Sequence, residues 1–398
     1  MKLIFQDPTF SFELLRTLSY APYGGADIGE CLATGYRIEE SNFESWYAEW
    51  YKTAERIHAQ AADSLARGKR ISARESFLRA SNYYRTAEFF LHGNPDDPRM
   101  LETWEKSRST FRQAIPLMDW PVEQVEIPYE GTSLSGYFYR VDDAPRPTLI
   151  IHGGYDSTGE ELYFGGAAAA LQRGYNCLTF EGPGQGATIR LQRIPFRHDW
   201  EKVITPVVDY LHNRPEIDKQ RIALMGISLG GFLAPRAAAY EHRLAACIAN
   251  DGLFTFQFGE MAPKGANVDF NEPAKLETFI QELMANNTGV RWAVDNGRFT
   301  FQAKTFLELI EKTQPFTLED VADKIKCPML VCEAEADHFF AGQPMKLYEA
   351  LTCPKTFMLF TAEDGGEEHC QFGALLLFNQ RVFEWLDDVM DGLGSPQQ

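Results

Sequence analysis

Ser228 stands at the centre of Gly226-Ile-Ser228-Leu-Gly230, between the apolar run at 222–225 and the Ala-rich run at 232–240. A strand entering this pentapeptide and a helix leaving it make a nucleophile elbow. The serine then sits on a turn too tight for side chains two positions away, which is why glycine occupies both places. Such a turn lifts the hydroxyl clear of the sheet and sets it at the N-terminus of the next helix, whose dipole favours negative charge. The chemistry this permits is attack of a serine oxygen on a carbonyl carbon. The bland alternative is a glycine-rich turn holding an incidental serine.

A serine hydroxyl is a weak nucleophile at neutral pH and needs a base, which in turn needs an orienting acid. Asp337, in Glu333-Ala-Glu-Ala-Asp337-His338, lies just past one apolar run, and His369, in Glu367-Glu-His369-Cys-Gln, lies just past the next. Ser228, Asp337 and His369 are therefore the expected catalytic residues, with Glu335 the alternative acid and His338 the rival base. Acyl chemistry also needs donors for the oxyanion. The Leu229 N–H and the His152-Gly153-Gly154-Tyr155 segment are placed to supply them, through Gly154 or Tyr155. His152 and Gly153 are expected to border the substrate, His152 chiefly by orienting its loop, with His338 in a structural or pocket role. The Glu181-Gly-Pro-Gly-Gln-Gly186 loop looks like a phosphate cradle but lacks a lysine, and is read as a tight turn bounding the pocket.

These residues need an open parallel sheet to bring them together. Short apolar runs at 147–151, 176–180, 222–225, 244–250, 328–332 and 356–360 alternate with helical patterns, which predicts a mostly parallel sheet covered on both faces. Alternation at 122–129 and 134–140 around Gly131 predicts a β-hairpin forming an antiparallel edge. Residues 119–251 and 321–398 make up this core. Residues 252–320 interrupt it with aromatic residues and two helices, near 275–286 and 303–312, and are read as a cap over the carboxyl ends of the strands. Residues 1–118 form an all-helical unit, with runs at 43–65 and 73–90 broken at Gly68, and with Asp97 and Pro98 starting a helix over 99–115. His58 and His92 there are read as surface or packing residues. The helices carry more aromatic rings (Trp46, Trp50, Phe77, Tyr83 and Phe90 among them) than mutual packing requires, and this unit is expected to help roof the pocket.

A net charge of −18 argues against nucleic acid and anionic membranes as partners. No N-terminal run resembles a signal peptide and no stretch approaches ~18 apolar residues, so the expectation is a cytoplasmic protein with no membrane span. The seven scattered cysteines form no zinc-type spacing, and Cys177, Cys247 and Cys332 lie in apolar runs as buried thiols. Neither a metal nor an organic cofactor is expected.

Together these features resemble the α/β-hydrolase superfamily over residues 122–390. The His152-Gly-Gly-Tyr-Asp156 segment, Phe180-Glu-Gly-Pro-Gly-Gln-Gly186, Ala336-Asp-His338-Phe-Phe340 and Glu368-His369-Cys370 narrow the resemblance. They are similar to the group of 2,6-dihydropseudooxynicotine hydrolases, fungal yellowish-green polyketide hydrolases and esterase-like fermentation/respiration switch proteins. That resemblance implies hydrolysis of a C–C bond in a β-diketone-like or polyketide substrate, bulky and often aromatic. It also implies an additional acidic residue, for which Asp251 and Glu260 are the candidates, Glu260 as a substrate contact. Carboxylesterase or acyl-transfer and cyclisation activity are alternatives on the same acyl-serine, and a non-catalytic regulator is a third class. A homodimer is left open.

Overall fold

The computed structural model describes residues 1–259 and 272–394. The chain clusters into two compact units, Met1–Asp119 with Phe258–Lys312, and Trp120–Gln257 with Thr313–Gln398.

The first unit is helical. Its longest helix, Phe43–Ala66, starts where Asn42 accepts hydrogen bonds from the Glu44 and Ser45 N–H groups. Its buried face runs through Phe43, Trp46, Trp50, Ala54, Ile57 and Ala61, the three- and four-residue spacing of one helical stripe. Gly68, at φ +72°, turns the chain into the helix Arg70–Glu88. Asp97 caps the helix Pro98–Ala114. The rings pack against one another: Phe43 stacks on Phe90 at 4.1 Å, Phe10 meets Trp46 edge-on, and the Trp46 indole donates to the Thr86 carbonyl at 2.8 Å.

Within this unit the later segment contributes Pro273–Asn286, Thr288–Thr300 and the start of Phe306–Thr313. The middle helix was not foreseen. Its Gly289, Gly297 and β-branched residues weaken the local helix signal, but Asn287 caps it and Trp292, Asn296 and Phe299 face inward. Trp292 stacks on Phe89 at 5.0 Å. His92, read from sequence as a surface or packing residue, is buried and hydrogen-bonded on both nitrogens, to Asn296 Oδ1 at 2.7 Å and Glu88 Oε1 at 2.9 Å. The partner lies 204 residues away, so no local pattern could show it.

The second unit holds one eight-stranded sheet. Its strands are β1 (Val122–Tyr129), β2 (Thr132–Tyr139), β3 (Arg146–His152), β4 (Asn176–Phe180), β5 (Ile217–Ile227), β6 (Ala246–Asn250), β7 (Met329–Ala334) and β8 (Lys355–Phe360). Their order is β1-β2-β4-β3-β5-β6-β7-β8. The β1–β2 hairpin pairs antiparallel, turns through Glu130 and Gly131 at positive φ, and meets β4 antiparallel; every later pair is parallel. Strands β4 and β6 are buried along their whole length, as expected where helices cover both faces. Parallel register does the positioning: His152 pairs with Gly226, Ile227 with Asn250, and Ala249 with Val331. The carboxyl ends of β3, β5, β6 and β7 therefore fall along one edge of the sheet.

The chain leaves this unit after Gln257 and returns at Thr313, inside the boundaries 252 and 320 expected from sequence. The two ends are tied by backbone bonds, Phe256 N–H to Phe316 O and Leu318 N–H to Phe254 O, each 2.9 Å. No helix among the described residues is long and apolar enough to cross a membrane.

Candidate active site

The elbow is built by contacts that only glycine allows. Ser228 has φ +61°, its N–H donates to the Asn250 carbonyl, and the Gly231 N–H returns to the Ser228 carbonyl at 2.6 Å. A Cβ on Gly226 would lie 1.9 Å from the Gly230 carbonyl oxygen, so the turn closes only with glycine there. The helix Gly230–Ala238 follows at once, with Ser228 at its positive end.

His369 Nε2 lies 2.9 Å from Ser228 Oγ, and His369 Nδ1 lies 2.8 Å from Asp337 Oδ2. The three residues named from sequence thus form one continuous hydrogen-bonded chain, although Ser228 and His369 are 141 residues apart. Asp337 also accepts the Phe339 and Phe340 N–H groups on Oδ1, which locks its carboxylate in place. Burial would raise Asp337, but the charge and hydrogen bond of His369 hold it below the usual carboxylate value. Burial would likewise lower His369; the facing Asp337 outweighs it and carries the imidazole well above its ordinary value. Glu335, the alternative acid, is exposed and accepts the Ala362 N–H at 2.8 Å. His338, the rival base, is exposed as a whole residue, yet its imidazole lies against the Phe339 ring; that partial desolvation, and then the His369 charge, lower its pKa.

The loop after β3 comes against the elbow. A Cβ on Gly154 would lie 2.6 Å from Leu229 N, so the 153–155 backbone passes directly beside that N–H. The Leu229 N–H engages no acceptor among the described residues. Tyr155 is buried with its ring 5.4 Å from that of Phe256. His152 does not border an open space. Its ring is fully buried between Phe180 and Trp200, with Nδ1 donating to the Gly153 carbonyl at 3.1 Å. Burial lowers it to about 4, so it stays neutral and holds the loop. Glu260 lies outside the described residues.

Two residues that sequence reading passed over organise this loop. Gln185 donates from Nε2 to the Gly153 carbonyl at 2.7 Å and to the Gly154 carbonyl at 3.2 Å, while its Oε1 accepts the Gly182 N–H. Glu181, nearly fully buried, accepts the Gly159 N–H on one oxygen and the Ala187 N–H on the other. A Cβ on Gly186 would lie 1.8 Å from Glu181 Oε1. The Glu181–Gly186 loop is thus a carboxylate-centred turn that would repel a phosphate, and it leads into the helix Gly186–Gln192. Its buried acid and amide, each flanked by glycine, were the available signal.

Asp251, one of the two candidates for an additional acidic residue, stands beside the histidine. It follows β6 directly, is 0% exposed, and its Oδ2 lies 3.1 Å from His369 Nδ1. Among the described residues only Asp251, His369 and Cys370 bring three metal-ligating atoms within 4.8 Å of one another. These atoms are already engaged. Nδ1 faces two carboxylates, Asp251 accepts the Cys370 N–H and a Gln371 amide hydrogen, and burial pushes the Cys370 thiol up. The cluster is a hydrogen-bond network rather than an ion cage.

An eight-stranded, mostly parallel sheet with a strained serine elbow and with acid and histidine on loops beyond later strands defines an α/β-hydrolase. The chain belongs to that family: its residues 148–377 match the alpha/beta hydrolase family model, and residues 32–260 match the Esterase FrsA-like model. It is 37% identical to Hydrolase LUC6 of a Fusarium species over 98% of each chain. It is 36% identical to the 20-hydroxy-prefusarin hydrolase FUS2 of Gibberella moniliformis, again over 98% of each. The solved structure of 2,6-dihydroxy-pseudo-oxynicotine hydrolase shares the fold, with a TM-score of 0.76 at 23% identity over 94% of this chain and 95% of that one.

Proposed function

We propose that this hydrolase works through an acyl-serine intermediate and cleaves a C–C bond next to a carbonyl in a polyketide-like small molecule. The observation that carries the reading is the Ser228–His369–Asp337 chain of hydrogen bonds, 2.9 and 2.8 Å long. Ser228 Oγ attacks the carbonyl carbon as its proton passes to His369 Nε2, and Asp337 holds the resulting imidazolium. The negative charge that develops on the carbonyl oxygen is met by the Leu229 N–H and an N–H of the Gly154–Tyr155 segment. The C–C bond then breaks, its electron pair leaves as an enolate stabilised by a second carbonyl, and His369 returns the proton to that carbon. Water, deprotonated by His369, releases the acid and regenerates Ser228. The substrate class rests on the resemblance to the polyketide hydrolases, and among the relatives FUS2 is named for hydrolysis of 20-hydroxy-prefusarin.

The match to an esterase-type family model favours a second reading, in which the same acyl-serine forms from an ester. A fluorophosphonate probe should label the protein on Ser228 and leave Ser228→Ala unlabelled. An aryl β-diketone and a p-nitrophenyl ester then separate the readings. Release of an aryl acid and a ketone from the diketone supports C–C cleavage, and turnover of the ester alone assigns an esterase. An unlabelled wild type overturns both.

A further inference from the structure

Asp251 is a carboxylate touching His369 that the Ser-His-Asp arrangement does not use. A buried carboxylate is costly unless donors surround it, and three N–H groups converge on this one. The Cys370 N–H donates to Oδ2 at 2.6 Å, the Gln371 side-chain amide donates to Oδ1 at 2.6 Å, and His369 Nδ1 lies 3.1 Å from Oδ2. Nδ1 carries a single hydrogen, and Asp337 Oδ2 stands on its other side at 2.8 Å. One imidazole nitrogen is thus hydrogen-bonded to Asp337 and within ion-pair distance of Asp251, carboxylates at the ends of two neighbouring strands, β7 and β6. Asp251 also grips the turn that carries the histidine. Cys370 and Gln371 both have φ +55°, a left-handed conformation unfavourable for side-chain-bearing residues, and each donates to this carboxylate.

We propose that Asp251 is a positioning residue for the base, sharing the Nδ1–H of His369 with Asp337 so that the imidazolium formed in catalysis lies between two carboxylates. This rests on the serine-hydrolase reading above. When His369 takes the Ser228 proton, the ring becomes a cation, and a second anion 3.1 Å away stabilises that state further. The ionisable groups facing the pair are Asp337, Glu333 and Cys332 from β7 and its loop, His338 beside them, and Cys370 on the histidine's own turn. Burial raises Asp251, against the His369 hydrogen bond that lowers it, while Asp337 is lowered, so the two acids respond unequally to pH.

The test measures fluorophosphonate inactivation and p-nitrophenyl acetate hydrolysis against pH in the wild type, Asp251→Asn, Asp337→Asn and Ser228→Ala. A base works only when neutral, so the wild-type rate should rise with pH through a value above the ordinary 6.5 of histidine. In Asp251→Asn that limb should move about one pH unit lower, because one of two facing anions is gone. Asp337→Asn should lose ~10²–10³ in rate rather than the ~10⁴ of a single-acid triad, since Asp251 still holds the ring. A lower rate in Asp251→Asn with an unmoved limb makes Asp251 a structural clamp and overturns the proposal, as does a full ~10⁴ loss in Asp337→Asn. The second variant decides the matter if the first fails to fold. Labelling of the wild type but not of Ser228→Ala keeps the serine reading standing whichever way Asp251 falls. An unreactive wild type overturns both.

Discussion

At the scale of residues, exposure and prior hydrogen bonds decide which of several similar side chains can serve the base. Asp337 and Glu335 are two positions apart, and both are carboxylates past the same strand. Asp337 is 6% exposed and points at His369, whereas Glu335 stands in solvent and accepts a backbone N–H from the 361–363 loop. Glu335→Gln should therefore change the rate of p-nitrophenyl acetate hydrolysis by less than about threefold, because a surface carboxylate–amide hydrogen bond contributes little. A loss comparable to that of Asp337→Asn would show that the acid has been assigned to the wrong residue. His338 differs from His369 in the same way. Its imidazole leans on Phe339, while His369 sits in a closed set of polar partners.

At the scale of elements, the loop after β3 and the elbow after β5 are held together by packing of backbone on backbone. Gly154 lies so close to Leu229 that an added methyl group would displace that N–H. Gly154→Ala should lower kcat by ~10²–10³, the usual effect of removing one oxyanion donor, with KM moving much less. Gln185→Leu leaves the elbow untouched but removes both amide hydrogens from the Gly153 and Gly154 carbonyls. Its effect should be similar in kind and smaller, with unchanged circular dichroism. Wild-type kcat in both variants would mean that the oxyanion is stabilised elsewhere.

At the scale of the whole molecule, every residue of the proposed machinery lies in the sheet-bearing unit, and the two places where the chain leaves it are close together. The Thr255–Thr317 bridge and its flanking bonds set residues 257 and 313 at the mouth of one short ladder. A shortened chain of residues 120–257 joined by a few glycines and serines to 313–398 should fold and react with the fluorophosphonate probe at Ser228. The sheet it retains has all eight strands and its own buried core. Removing residues 1–118 alone should be more damaging. It strips Asn296 of the buried His92 and Trp292 of its stacking partner Phe89. If the longer deletion misfolds while the shorter one survives, the two units do not fold as the contacts within each imply.

Local chemistry made much of this protein legible in its sequence. The elbow could be read because a strained turn demands glycine at fixed offsets from the serine, and that demand is independent of everything distant. The strands could be read because burial on both faces leaves short apolar runs, and Asp337 and His369 because they follow two of those runs. The middle helix of the later segment could not, since its helix signal is poor and its inward face is satisfied by Phe89 and His92, some 200 residues earlier. Nor could Gln185, Glu181 or the second carboxylate on His369. Asp251 follows β6 in the chain, but that it meets the same nitrogen as Asp337 depends on β6 and β7 being parallel neighbours in register. It also depends on a turn at 369–371 that bends the histidine back between them. Spacing along a chain encodes which turn forms. Which two side chains face one hydrogen is set only when separate strands dock, because that distance belongs to no single segment.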